Sequence, residues 1–207
     1  MHKKALNKEQ IELLPLIKKF SDSFILVGGT AIALHLGHRR SVDFDLFTNS
    51  QIDLEKIRNI VRNEFKIEQT LVEEPEELTI VANGVKITFY RYPFDISLTE
   101  VFEGSIKLPN ILTLAAMKAF ALGRRAKWKD YVDLYFISKE HTLEEVVGRA
   151  KRMFRSEFNE KLFRAQLAYF DDIDYSEKIE YMPSKEMSDL EIKETLVKLS
   201  LEDQKIN

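Results

Sequence analysis

The chain has 207 residues, 44% of them hydrophobic, and a formal net charge of −3, enough for one good core or a core with a helical annex. Without cysteine there are no disulfides, thiolate zinc sites or cysteine nucleophiles, and four histidines make an imidazole metal cage a poor expectation, so oxygen ligands remain. The slight acidity argues against a general nucleic-acid coat, and neither a membrane-length apolar run nor a secretory segment in MHKKALNKEQ is found, so a soluble, cytoplasmic protein is expected.

In chain order, Asn7 with Gln10 reads as a capping box for a helix whose apolar side holds Ile11, Leu13, Leu14, Leu16, Ile17 and Phe20, with Pro15 kinking it or marking its true first turn. Phe24 to Val27 suit a short buried strand, which Gly28-Gly29 ends. Thr30 is then placed to cap a helix through Ala31, Ile32, Ala33, Leu34 and Leu36, stopped by Gly37. Val42 to Phe47 alternate apolar and acidic residues, so Asp43 and Asp45 project from one face, roughly 6.5 to 7 Å apart along the strand. Two such carboxylates suit a hard divalent cation that also touches substrate phosphates. A Gly-Gly turn at a helix start offers backbone N–H groups to a triphosphate. Each half alone is common in ordinary structure; joined within one segment they point to phosphoryl transfer.

Asp53 or Ser50 is expected to cap the next helix, with Leu54, Ile57, Val61 and Phe65 inward and Glu55, Lys56, Arg58 and Arg62 outward. Strands follow at roughly 66–72, 78–82 and 85–90, the last two flanking the hairpin signal Asn83-Gly84. From Leu108 the pattern is helical. Thr113 is the expected N-cap of a helix, stapled by Leu112 onto Met117, whose only charge from Leu114 to Leu122 is Lys118. That lysine either snorkels to solvent or faces a charged partner. A helix from Trp128 to Ser138 holds Asp130 and Asp133 on one face, Asp130 near the favourable end of the dipole and Lys129 spaced to pair with Asp133. Further helices are expected at 157–170 and after the capping boxes Thr142/Glu145 and Ser188/Glu191. Phe154, Phe158, Leu162, Phe163 and Leu167 are expected in the core, while 171–180 and the end after Ser200 read as loop and tail. Basic candidates for phosphate contact are Arg39-Arg40, the run Arg124, Arg125, Lys127 and Lys129, and the cluster Arg149, Lys151, Arg152, Arg155 and Arg164.

The segment GGTAIALHLGHRRSVDFDLF, then FYRYPF and LAAMKAFALGRRAKWKDYVDLYFI, resembles the AbiEii-type abortive-infection toxin nucleotidyltransferases of the polymerase-beta-like superfamily, over roughly residues 8–140. The resemblance implies an α+β (α/β) fold: a nucleotidyltransferase core at 1–107, its mixed sheet flanked by helices, with a C-terminal helical region at 108–207 packed on it. It implies Mg²⁺ or Mn²⁺ on Asp43 and Asp45, an NTP substrate held by Gly28, Gly29, Thr30, Arg39, Ser41 and Arg125, and catalytic roles for Asp43, Asp45, Lys118, Asp130 and Asp133. By the same resemblance Lys118 counters the triphosphate, Asp130 positions the incoming lysine or arginine, and Asp133 supports the site or the second substrate. An RNA acceptor, the tRNA 3′ end, and a cognate antitoxin protein are implied as partners. Enzymes of this superfamily commonly add a third carboxylate from a neighbouring strand. The strand Val85 to Tyr90 carries none, leaving Asp95 or Glu100 as substitutes. A binding module that has lost its chemistry, sensing nucleotide or RNA in a defence system, is therefore the rival expectation, and a kinase-like phosphotransferase is a third.

Overall fold

Residues Met1–Asn110 and Ile111–Asn207 form two units in the computed structural model, which describes residues 1–96, 98–122 and 124–202. The first is built on a five-stranded sheet in the order β1-β2-β5-β4-β3, with β1 Ile25–Val27, β2 Phe44–Thr48, β3 Ile67–Glu74, β4 Glu77–Ala82 and β5 Val85–Arg91. β2 runs antiparallel to β1 but parallel to β5, so the sheet is mixed. One sheet face is apolar and buried, with Phe44, Leu46, Leu78, Ile80, Ile87 and Phe89 all nearly inaccessible. The alternate positions Asp45, Phe47, Lys86, Thr88 and Tyr90 are half-buried, as the two-residue period of strands requires.

Helix α1 spans Lys8–Lys18 behind a complete Asn7/Gln10 capping box, so Pro15 lies inside the helix and does not open it. Ile11 is exposed at 41% while Gln10 is fully buried. The reason is helical spacing: Gln10 shares the face of Leu13, Leu14 and Ile17, and Ile11 does not. Helix α2 spans Gly28–Leu36 and ends on Gly37 in the left-handed conformation. Its N-cap is Val27, with no side-chain cap, which corrects the expectation for Thr30. Helix α3, Leu54–Arg62, is capped by Asp53. Arg58 is buried there, its guanidinium 2.5 Å from Glu73, and not outward as the pattern implied.

The Asn83-Gly84 turn joins β4 to β5 with positive φ at both residues. A second hairpin, β6 Leu98–Phe102 and β7 Ile106–Pro109, was not evident in the sequence. It turns through Glu103-Gly104, again with positive φ at both positions, and glutamate rarely announces that geometry.

The second unit is helical: α4 Ile111–Leu122, α5 Trp128–Ile137, α6 Leu143–Phe154, α7 Glu160–Leu167 and α8 Asp189–Leu201. Thr113 is not the cap of α4; it is fully buried inside it and accepts from Arg149 Nη2 at 2.9 Å. Phe120 stacks on Phe154 with centroids 4.0 Å apart. The Thr142/Glu145 capping box is complete. Ser188 accepts from the Glu191 amide at 3.2 Å, but the Glu191 carboxylate takes the Tyr135 hydroxyl at 2.8 Å instead of closing a box. α7 is shorter than 157–170, and Leu162 is 46% exposed while Phe154, Phe158, Phe163 and Leu167 are buried. Residues 171–180 are mostly irregular, and of the expected tail 203–207 lie outside the described residues. Among the described residues no helix is long and apolar enough to cross a membrane.

Candidate active site

The first unit gathers Gly28, Gly29, Thr30, Arg39, Ser41, Asp43 and Asp45 around one elbow. β1 pairs with β2 so that Val27 faces Asp45 across the ladder, and the chain then breaks at Gly28, whose φ is +70°. A Cβ built on Gly28 would lie 2.1 Å from Asp45 Oδ2, and one on Gly29 would lie 2.8 Å from Arg39 Nη2 and 3.1 Å from Ser41 Oγ. Gly28 is demanded by its backbone angle, and at both glycines the facing side chains come close enough that a Cβ would displace them. The acid leans onto the elbow. The N-cap of α2 is Val27, which has no polar side chain to cap the first turn, and first-turn amides favour an anion.

The stretch leading into β2 is pinned by its backbone. The carbonyl of Asp43 accepts from Gln10 Nε2 at 3.3 Å and from the Thr30 hydroxyl, which also lies 3.0 Å from Ser41 Oγ. Arg39 is buried and donates to the Arg40 carbonyl at 2.9 Å, while Arg40 donates to the Leu6 carbonyl at 3.2 Å. Arg39-Arg40 is therefore a built feature of the elbow and not a solvated basic patch.

Sequence reasoning overlooked Lys86. Phe44 faces Ile87 across the parallel ladder, which sets Lys86 beside Asp43, and its Nζ lies 2.9 Å from Asp43 Oδ2. A cation occupies the strand where a third carboxylate was sought. Asp95 is exposed, and Glu100 lies 3.8 Å from His35 Nδ1 near the C-terminal end of α2, far along the helix from the elbow. Among the described residues no group of three acids or histidines is arranged to hold a metal. Asp43 and Asp45 remain a two-carboxylate donor set, which suits Mg²⁺ or Mn²⁺ when substrate phosphates and water complete the shell.

The second unit gathers Lys118, Arg125, Asp130 and Asp133. Asp130 and Asp133 lie on one face of α5, and both are fully buried. Lys118 Nζ contacts Asp130 Oδ1 and lies 3.0 Å from Asp133 Oδ2, while Arg125 Nε lies 3.1 Å from Asp130 Oδ2. Burial pushes the Asp130 carboxyl up, but Lys118 and Arg125 outweigh it and hold it below the usual carboxylate range. Lys118 does not snorkel. Lys129 does not pair with Asp133; with Lys127 it grips Glu177, in the loop after α7. Lys151 and Arg164 meet Glu160 at 2.6 and 2.8 Å, so much of the remaining basic set is paired inside the protein.

A family model, a curated relative and solved structures resemble this chain. Residues 16–196 match the family "Nucleotidyl transferase AbiEii toxin, Type IV TA system". An uncharacterized protein of Aquifex aeolicus is 30% identical over 177 residues, covering 82% of this chain and 85% of that protein. MenT4, a nucleotidyltransferase toxin of Mycobacterium tuberculosis, superposes with a TM-score of 0.58 at 13% identity, covering 94% of this chain and 85% of that one. JHP933 of Helicobacter pylori does so with a TM-score of 0.56 at 17% identity, covering 96% and 90%. With the mixed sheet and the elbow in place, the chain belongs to the AbiEii family of nucleotidyltransferase toxins.

Proposed function

We propose that this chain moves a nucleoside monophosphate from an NTP to an acceptor, releasing pyrophosphate, at the elbow of the first unit. The observation that carries the reading is the Asp45 carboxylate resting on Gly28 at the start of an uncapped helix. There a phosphate-binding backbone and a cation-binding acid share one position. Asp43 and Asp45 would hold Mg²⁺ or Mn²⁺, which when bound supplies positive charge against the phosphates. The first-turn amides of α2 bind the triphosphate, Arg39 and Ser41 line it, and Thr30 and Gln10 hold the Asp43 backbone in place. In the second unit Lys118, Asp130 and Asp133 act as one electrostatic group. Arg125, 52% exposed, is its accessible end. The family supports an RNA acceptor, the tRNA 3′ end, and a toxin role countered by an antitoxin protein.

The test is to incubate the chain with each α-phosphate-labelled NTP, Mg²⁺ or Mn²⁺, and total tRNA. Label on tRNA that is lost in Asp45→Ala is the expected result. The lysine on Asp43 and the want of a third acid among the described residues favour the rival reading, a nucleotide- or RNA-binding module. Tight NTP binding with no transfer is the result that would establish it. Transfer of the γ-phosphate instead would mark a kinase-like phosphotransferase.

A further inference from the structure

We infer that Lys86 is a built-in cation of this site, which takes one oxygen of Asp43 and limits the chain to a single divalent ion. The inference rests on the proposed function and specifies it. Two-metal phosphoryl-transfer sites hold their ions about 3.5–4 Å apart and need enough carboxylate to balance both. Here the sheet face offers two carboxylates and one ammonium, a formal balance of one negative charge, with Lys86 Nζ 2.9 Å from Asp43 Oδ2. Among the described residues no third acid joins them. A second divalent ion beside Asp43 would meet a like charge already seated there, which repels it. Placement supports the same view. Lys86 stands on β5 next to β2, fixed by a parallel ladder whose register is regular from Phe44 to Thr48, and its side chain is 40% exposed, so it faces the hydrated side of the sheet. Its ammonium is preorganised to neutralise charge without being recruited from solution. Asp45 and the remaining oxygen of Asp43 then suffice for one ion, with phosphate oxygens and water completing the shell.

The experiment counts ions. The full chain is titrated with Mn²⁺ in the presence of a non-hydrolysable NTP analogue, and free Mn²⁺ is followed by its paramagnetic resonance signal. One Mn²⁺ per chain is expected, and two would overturn the inference. Lys86→Asp, which supplies a third carboxylate and removes the cation, is expected to bind two; a stoichiometry still at one would show that Lys86 is not what excludes the second ion. Lys86→Met is expected to lose about 100-fold in kcat for transfer, with Lys86→Arg recovering most of it; Lys86→Met turning over like the native chain would overturn the catalytic half of the claim. Absence of any analogue-dependent Mn²⁺ binding by the native chain would overturn the proposed function itself, and this inference with it.

Discussion

Two clusters of aspartate and basic side chains sit in this protein, and they differ in water. Asp43 and Lys86 keep 20% and 40% of their side chains exposed. Lys118 keeps 6%, and Asp130 and Asp133 none. An open pair keeps water on both groups, so its net worth to stability is small. A buried group with matched charges has already given up its hydration, so removing one member leaves an uncompensated charge in a poor dielectric. The first cluster is therefore open to solvent, while the second is dry and presents Arg125 at its edge.

The largest effect that would break this contrast is expected at Lys118. Lys118→Met should cost about 3–5 kcal/mol of unfolding free energy in urea titrations; a loss under about 1 kcal/mol would mean that the cluster is solvated and the contrast wrong. Asp45→Asn should do the opposite, lowering transfer by about 10²–10³-fold while its urea midpoint stays near that of the native chain. Gly28→Ala combines both, since φ of +70° and the 2.1 Å approach of Asp45 Oδ2 disfavour any Cβ. A loss of about 1–3 kcal/mol is expected, together with impaired NTP binding by calorimetry. Unchanged stability would show that the backbone at Gly28 is not held at that angle.

The smallest effect concerns the 171–180 loop. Burial acts to raise Glu177, but hydrogen bonds from Lys127 and Lys129 outweigh it and bring its carboxyl to about 2, against 4.5 ordinarily. Its folded pKa is depressed, so its anchoring is complete above the ordinary value and is lost as pH falls from about 4.5 toward 2. Trp128, the single tryptophan, packs against Tyr175 with centroids 5.3 Å apart. Its fluorescence should shift over that acid range, and Glu177→Gln should remove the shift.

Much of the fold was legible because its signals are local. Asn83-Gly84 and the Asn7/Gln10 box carry their meaning within a few residues, and the structure contains both; the alternation expected from Val42 to Phe47 is met only from Phe44, where β2 begins, while Asp43 precedes the strand and Val42 is 54% exposed. Where reading failed, two features competed for one residue. Thr30 looks like a cap but is drawn to the Asp43 carbonyl, and Thr113 looks like a cap but lies within α4 and accepts from Arg149. Glu191 looks like half of a capping box yet finds Tyr135. In each case a distant partner outbid the neighbouring one.

What the chain determines by itself is the elbow: two glycines, a short buried helix and two acids at alternate positions are local chemistry, forced by backbone freedom and strand periodicity. Tertiary structure alone decided which cation meets which acid. Lys86 reaches Asp43 only because β5 lies parallel beside β2, and Lys118 meets Asp130 and Asp133 only because α4 packs on α5. Register and packing between distant segments are set by burial of the apolar faces they share, which no short stretch of sequence encodes.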